Sequence, residues 1–160
     1  MSDQPSTASI TPVGEIMSEQ LETINFSNTA QESAIKMSDR NVSSLIVLDD
    51  SGRAIGIITE RDLVRRVCTR DVSSSSVNVE NAISSPVRTV SPETPIDEVA
   101  DVMVSNKVRH VVIVDKNQEP VGIISATDIV AYIRENSQNV AKISDDVIEA
   151  LEREGRHTGV

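Results

Sequence analysis

A chain of 160 residues with 25 acidic and 15 basic side chains carries a formal net charge of −10, and its only large aromatic residues are Phe26 and Tyr132. Such a balance excludes a protein that grips nucleic acid through counterion release on a basic face, and the lack of stackable rings excludes single-strand binding by stacking. With one cysteine, Cys68, no run near 18 apolar residues and no charged-then-apolar leader, the sequence predicts no internal disulfide, no membrane span, no signal peptide and a cytoplasmic location.

In chain order, residues 1–12 are polar with two prolines and read as a disordered segment. Residues 13–17 make a short apolar helical turn, and 22–25 a short strand. The spacing of Ala30, Ser33, Ala34 and Met37 predicts a helix over 29–40. Residues 45–48 form a continuous apolar run, expected to be a strand buried on both faces. After the Asp-Asp-Ser-Gly turn at 49–52 a second strand, 54–58, completes a hairpin. A helix over 60–69 is expected to bury Leu63, Val64 and Val67. The serine run in 71–78 suits an exposed, flexible linker.

The same order then returns. An apolar turn at 79–83 and a short strand at 88–91 precede Thr94-Pro95, which places a cap residue before a proline at the first helical position. Ile96, Val99, Ala100 and Met103 follow at helical spacing, then strands at 111–114 and 121–124 and a closing helix at 127–136. Residues 138–160 have no counterpart earlier in the chain. Within them Ser144 caps a helix through Glu154, whose stripe of Val147, Ile148 and Leu151 is expected to pack on the parent domain or a twin subunit.

The repetition is in register. At an offset of 66 residues, 13–67 aligns with 79–133 without a gap, pairing Val13 with Val79, Met37 with Met103, Gly56 with Gly122 and Asp62 with Asp128. Two copies of one β-α-β-β-α unit, each too small to bury its apolar face alone, are expected to pack about a pseudo-twofold axis. The predicted class is α/β (α+β). The predicted units are residues 13–70 and 79–137, joined by 71–78 and flanked by a disordered 1–12 and a tail, 138–160.

Both copies carry the same small constellation. Thr59-Glu60-Arg61-Asp62 and Ser125-Ala126-Thr127-Asp128 fit the capping box, in which a hydroxyl and a carboxylate satisfy N–H groups at a helix start. Thr94-Pro95-Ile96-Asp97 fits it too and has no claim to function. What singles out the first two is the glycine in the preceding strand, Gly56 and Gly122, since a strand glycine marks close approach of a ligand or another backbone. A helix N-terminus favours an anion, and an ionised carboxylate one turn in suits the paired hydroxyls of a ribose. Strand glycine, hydroxyl and carboxylate, occurring twice, point to a nucleoside phosphate site.

The segments GIITERDLV at 56–64 and GIISATDIV at 122–130, with the β-α-β-β-α order, resemble the cystathionine-β-synthase (CBS) domain, and VRHVVIVD at 108–115 is similar to that family's second signature. The resemblance covers 13–136 and implies a tandem pair, or Bateman module, that binds an adenine nucleotide as a regulatory ligand between its copies. It places Asp62 and Asp128 on ribose hydroxyls and Thr59 and Ser125 near phosphates. Ile24 and Val90, with Ile57, Ile58, Ile123 and Ile124, are implied to wall the adenine pocket, and Arg109 and His110 to reach phosphates. In the first copy Ser43 and Ser44 replace that basic pair. Arg61 or Arg65 offers charge to a phosphate there, and Thr127 stands opposite Arg61 in the second copy.

The implied ligand is AMP, ADP or ATP. The implied assembly is a homodimer, and with no effector domain read in the sequence, a separate, unidentified protein would be the target. Burying about 100 Å² of adenine contributes about 2–3 kcal/mol, whereas micromolar binding needs roughly 8 kcal/mol, so nucleotides should bind more tightly than free adenosine. No nucleophile meets a base and no metal-ligand set assembles: His110 and His157 are 47 residues apart, so neither an enzyme nor a catalytic cofactor is expected. Two other readings compete. One is a docking module with empty clefts; the other is a binder of S-adenosylmethionine or another adenosyl ligand.

Overall fold

The computed structural model describes residues 11–83, 87–136 and 145–156. Its framework is two hairpins built alike. In the first copy β1 (Thr23–Asn25) leads to α1 (Ala30–Arg40), then β2 (Ser44–Leu48), β3 (Ala54–Thr59) and α2 (Glu60–Arg66). The second copy has β4 (Thr89–Val90), α4 (Ile96–Asn106), β5 (His110–Val114), β6 (Pro120–Ser125) and α5 (Ala126–Glu135), preceded by the short α3 (Val79–Ala82). A last helix, α6, spans Asp145–Arg156.

Each copy forms a three-stranded sheet in which the first strand runs parallel to the second and the second antiparallel to the third. The duplication extends to detail. Val47 pairs with Gly56 and Ile113 with Gly122, and the ladder slips at the next residue in both sheets. Asp49 Oδ1 accepts from the Ser51 and Arg53 N–H groups at 2.9 and 3.0 Å, and Asp115 Oδ1 accepts from Asn117 and Glu119 at 2.8 and 3.0 Å. α1 and α4 both end on a left-handed residue, Asn41 and Lys107, each at φ 53°. At that cap the N–H bonds back to helix carbonyls that would otherwise lack a donor.

The leading segments are exchanged. Val13 N–H donates to Thr94 O, Gly14 N–H to Pro92 O, and Ser18 and Ile123 exchange both backbone bonds, so residues 11–18 belong to the second copy's structure. Conversely Ala30 N–H donates to Val77 O, Val79 N–H to Asn28 O and Glu80 N–H to Phe26 O, which ties 77–83 to the first copy. Val13 is buried among the second copy's core residues, and Val79 and Ala82 among the first's. A third cluster, Ile46, Ile57, Val112 and Val114, closes the space between the two sheets. Alternation along the strands explains this division: neighbouring side chains face opposite sides of a sheet, so Ile57 faces the sister copy while Ile58 fills its own core.

Several expectations change. α2 ends at Arg66 and continues only as a 3-10 turn, Cys68–Arg70, and Val64 is 54% exposed rather than buried. Its register partner Val130 is 9% exposed, because α6 lies over α4 and α5 and adds Val147, Ile148 and Leu151 to the second core. Among the described residues no helix covers α2 in the same way. α4 starts at Ile96 with Pro95 as N-cap and no side-chain cap bond, so the Thr94 template produces no capping box. Thr94 Oγ1 instead meets Ser91 Oγ at 3.2 Å. Residues 1–10 and the proposed cap Ser144 lie outside the described residues.

Candidate functional site

At the junction of β3 and α2, Thr59 is extended (φ −120°, ψ 163°), which turns its side chain back over the helix start. Its Oγ1 accepts from the Asp62 N–H at 3.1 Å, while Asp62 Oδ2 accepts from the Thr59 N–H at 2.9 Å and from Thr59 Oγ1 at 3.0 Å. The second copy repeats the box: Asp128 N–H donates to Ser125 Oγ at 3.1 Å and Ser125 N–H to Asp128 Oδ2 at 2.9 Å. Both aspartates therefore fix a helix start with one oxygen. They differ in the other. Asp62 is 7% exposed, and its Oδ1 lies 4.0 Å from Arg66 Nε. Asp128 is exposed, and where Arg66 stands the second copy has Tyr132.

The strand glycines serve packing between copies. A Cβ at Gly56 would come within 2.7 Å of Ile83 Cδ1, and one at Gly122 within 2.8 Å of Met17 Cγ and in overlap with Met17 Sδ. Each glycine thus admits an apolar side chain of an exchanged leading segment. The close approach anticipated from the sequence is real, and it is made by the protein itself.

A cleft of about 290 Å³ opens between the copies. The first copy lines it with Gln20, Glu22, Asn41, Val42, Ser43, Ser44 and Ile46, the second with His110, Ile123, Ser125 and Asp128, and the exchanged segment adds Ser18. Glu22 is held by Lys36 Nζ at 3.9 Å and Arg40 Nε at 4.0 Å, neither of which lines the cleft. Burial pushes the pKa of His110 below the ordinary histidine value, and the Arg109 charge adds to this against the opposing pull of Asp128 and Asp62. The imidazole facing the cleft is therefore neutral at neutral pH.

The structure brings His110, Ile123, Ser125 and Asp128 together and distributes the other expected residues elsewhere. Ile57 lies in the cluster between the sheets, Ile58 and Ile124 are fully buried in their own copies' cores, and Ile24 is 8% exposed in the first core. Val90 borders a separate, wider depression of about 690 Å³ with Thr89, Pro92 and Asp115. Arg61 is half-buried on α2 and Thr127 exposed on α5. Arg109 is half-buried and its carbonyl accepts the Ala126 N–H at 2.8 Å.

Ser18, Gln20, Glu22 and Asn41 were not foreseen. Ser18 lies on the segment that crosses to the other copy, a swap that a repeat in sequence does not encode, with Gln20 and Glu22 following it in the chain, whereas Asn41 lies at the left-handed cap of α1 beside Ser43 and Ser44. Among the described residues no group of three or more His, Cys, Asp or Glu side chains could hold a metal ion, and no helix is long and apolar enough to cross a membrane.

Comparison with known proteins agrees with this architecture. The family model for the CBS domain matches twice, over residues 13–68 and 79–135. An uncharacterized 17.7 kDa protein of Acidianus ambivalens is 34% identical over 119 residues, covering 74% of this chain and 71% of that protein. Among solved structures, a CBS domain protein of unknown function from Thermoplasma acidophilum superposes with a TM-score of 0.75 at 23% identity, over 91% of this chain and 76% of its own. The CBS domain pair of the protein MJ0100, solved in complex with 5′-methylthioadenosine and S-adenosyl-L-methionine, superposes with a TM-score of 0.68 at 28% identity, over 79% and 98%. Two matched repeats, one shared register and a common fold lead to one conclusion: this chain is a tandem pair of CBS domains and belongs to the CBS domain family.

Proposed function

We propose that this CBS pair is a regulatory module that holds an adenine nucleoside or nucleotide between its copies and passes its occupancy to a separate protein. The observation that carries this reading is the cleft at Asp128, whose walls come from both copies. A ligand seated there touches both halves and so stabilises one relative placement of them. At a concentration 100 times its dissociation constant it favours the bound form by about 2.7 kcal/mol, enough to bias a two-state partner.

In this reading Asp128 accepts from ribose hydroxyls through the oxygen its capping box leaves over, and Asp62 takes the same part in the first copy once its Oδ1 turns from Arg66 to the sugar. Ser125, Thr59, Arg109 and His110 attend the 5′ end of the ligand, and Ile123 offers apolar surface to the base. AMP, ADP and ATP are the ligands implied by the sequence; the 5′-methylthioadenosine and S-adenosyl-L-methionine bound by the MJ0100 pair support the wider adenosyl class. A homodimer is supported by the open helix face of the first copy, where Ile35 is 52% and Val64 54% exposed. Mass spectrometry of small molecules released from the purified protein, followed by calorimetry with each adenosyl compound found, tests the reading. It expects an adenosyl ligand. Protein that releases none and gives no heat with AMP, ATP or 5′-methylthioadenosine would instead be a docking module.

A further inference from the structure

The sides of the module at Asp128 and at Asp62 share a backbone but not a charge. Ile46 N–H donates to Glu22 O in one copy and Val112 N–H to Arg88 O in the other, so Glu22 and Arg88 occupy equivalent places. Asn41 and Lys107 are the equivalent left-handed caps of α1 and α4. Ser43 and Arg109 are equivalent in the same sense: their carbonyls accept the first N–H of α2 and of α5. The Asp128 cleft is thus built with Glu22, Asn41 and Ser43 where the sister side has Arg88, Lys107 and Arg109.

We propose that the Asp128 cleft takes an adenosyl ligand without phosphate, uncharged or carrying a positive charge, and disfavours AMP, ADP and ATP. This rests on the reading that the module binds adenosyl ligands. The lining contains two carboxylates, Glu22 and Asp128, and no lysine or arginine. The two cations nearest Glu22, Lys36 and Arg40, are engaged with it from outside the lining. A phosphate placed here finds no cation in the lining and meets the exposed carboxylate of Asp128, in a partly enclosed space where screening by water is weak, while Lys36 and Arg40 are already paired with Glu22. Hydroxyls, a thioether, an amine or a sulfonium meet instead the side chains of Ser18, Gln20, Asn41, Ser43 and Ser44 and a neutral His110. The volume, about 290 Å³, lies at the lower end of small-molecule sites. It suits a nucleoside better than a dinucleotide. For this cleft, then, the general expectation that added phosphates tighten binding is inverted.

The test is calorimetry of the full chain with 5′-methylthioadenosine and with AMP, on the wild type, Asp128→Asn, Glu22→Arg and the pair Glu22→Arg with Ser43→Arg. Asp128→Asn identifies heat that belongs to this cleft, and the arginine variants leave the capping box intact. The wild-type cleft is expected to bind 5′-methylthioadenosine at least 10-fold more tightly than AMP, with this signal lost in Asp128→Asn. Giving the cleft the sister side's charges should lower the preference by 10-fold or more and add an AMP equivalent. AMP bound at this cleft as tightly as 5′-methylthioadenosine, or a preference unmoved by the arginines, overturns the inference while the adenosyl reading stands. No binding of either compound overturns both.

Discussion

The two copies agree at the residues that set the backbone and disagree at those that meet the outside. Val13 and Val79, Met37 and Met103, Gly56 and Gly122 keep both identity and role, each buried in a core or seating a neighbour's side chain. By contrast Ile35 faces solvent where the second copy has Asp101, and Val64 is exposed where Val130 lies near the covering α6. Glu22 faces a cleft at the place of Arg88. Duplication followed by divergence thus preserves what packing requires and frees helix faces and cleft rims to specialise. The lesson is that equivalent position in a repeat predicts geometry well and chemistry poorly.

The sharpest break between the copies is α6. Leu151 is 1% exposed within the second core, so Leu151→Ala should lower unfolding free energy by about 2–5 kcal/mol in a denaturant titration. A change under about 1 kcal/mol would mean that α6 does not complete that core. Next come the glycines. Gly122→Ala should cost about 1–3 kcal/mol through overpacking against Met17, and Met17→Ala should relieve it, while Gly56→Ala should be relieved only by trimming Ile83. A double-mutant cycle with no coupling between 17 and 122 would contradict the exchange of leading segments.

Acid should act in two separate windows. The folded pKa of His110 is lowered, so between that value and about 6.5 the unfolded chain binds more protons than the native one. Stability therefore falls as pH drops below about 6.5, and His110→Gln should flatten that limb in pH-dependent melts. Hydrogen bonds hold the carboxyls of Asp49 and Glu32 below their ordinary values of 3.8 and 4.5, so their contribution persists through the first window and is lost only in stronger acid. The smallest effect on stability should come from Val64→Asp, within about 0.5 kcal/mol for an exposed site. The same change should weaken self-association in sedimentation, whereas Val130→Asp should unfold the second copy.

Much of this fold was legible because its signals are local. Apolar runs at 45–48 and 111–114, the Asp49 and Asp115 turns and the 66-residue register specify strands, hairpins and two copies without tertiary knowledge. Capping boxes at Thr59 and Ser125 were legible in the same way. Thr94 shows the limit of the template, since Pro95 itself takes the N-cap place and Thr94 turns to Ser91. What could not be read depends on which copy a segment joins. The exchange of 11–18 and 77–83 decides what the strand glycines seat, and it brings Ser18, Gln20 and Glu22 opposite Asp128. The split of Ile57 from Ile58 follows from strand alternation, but which face meets the sister sheet becomes visible only once the sheets are stacked.

We propose above all that the carboxylate of Asp128, beyond capping α5, holds the sugar of an adenosyl ligand between the copies. A crystal structure of the full chain grown with saturating 5′-methylthioadenosine measures this directly. The nucleoside is expected in the cleft between Glu22 and His110, with its ribose hydroxyls donating to Asp128. A cleft that stays empty, or a nucleoside bound away from Asp128, would contradict it.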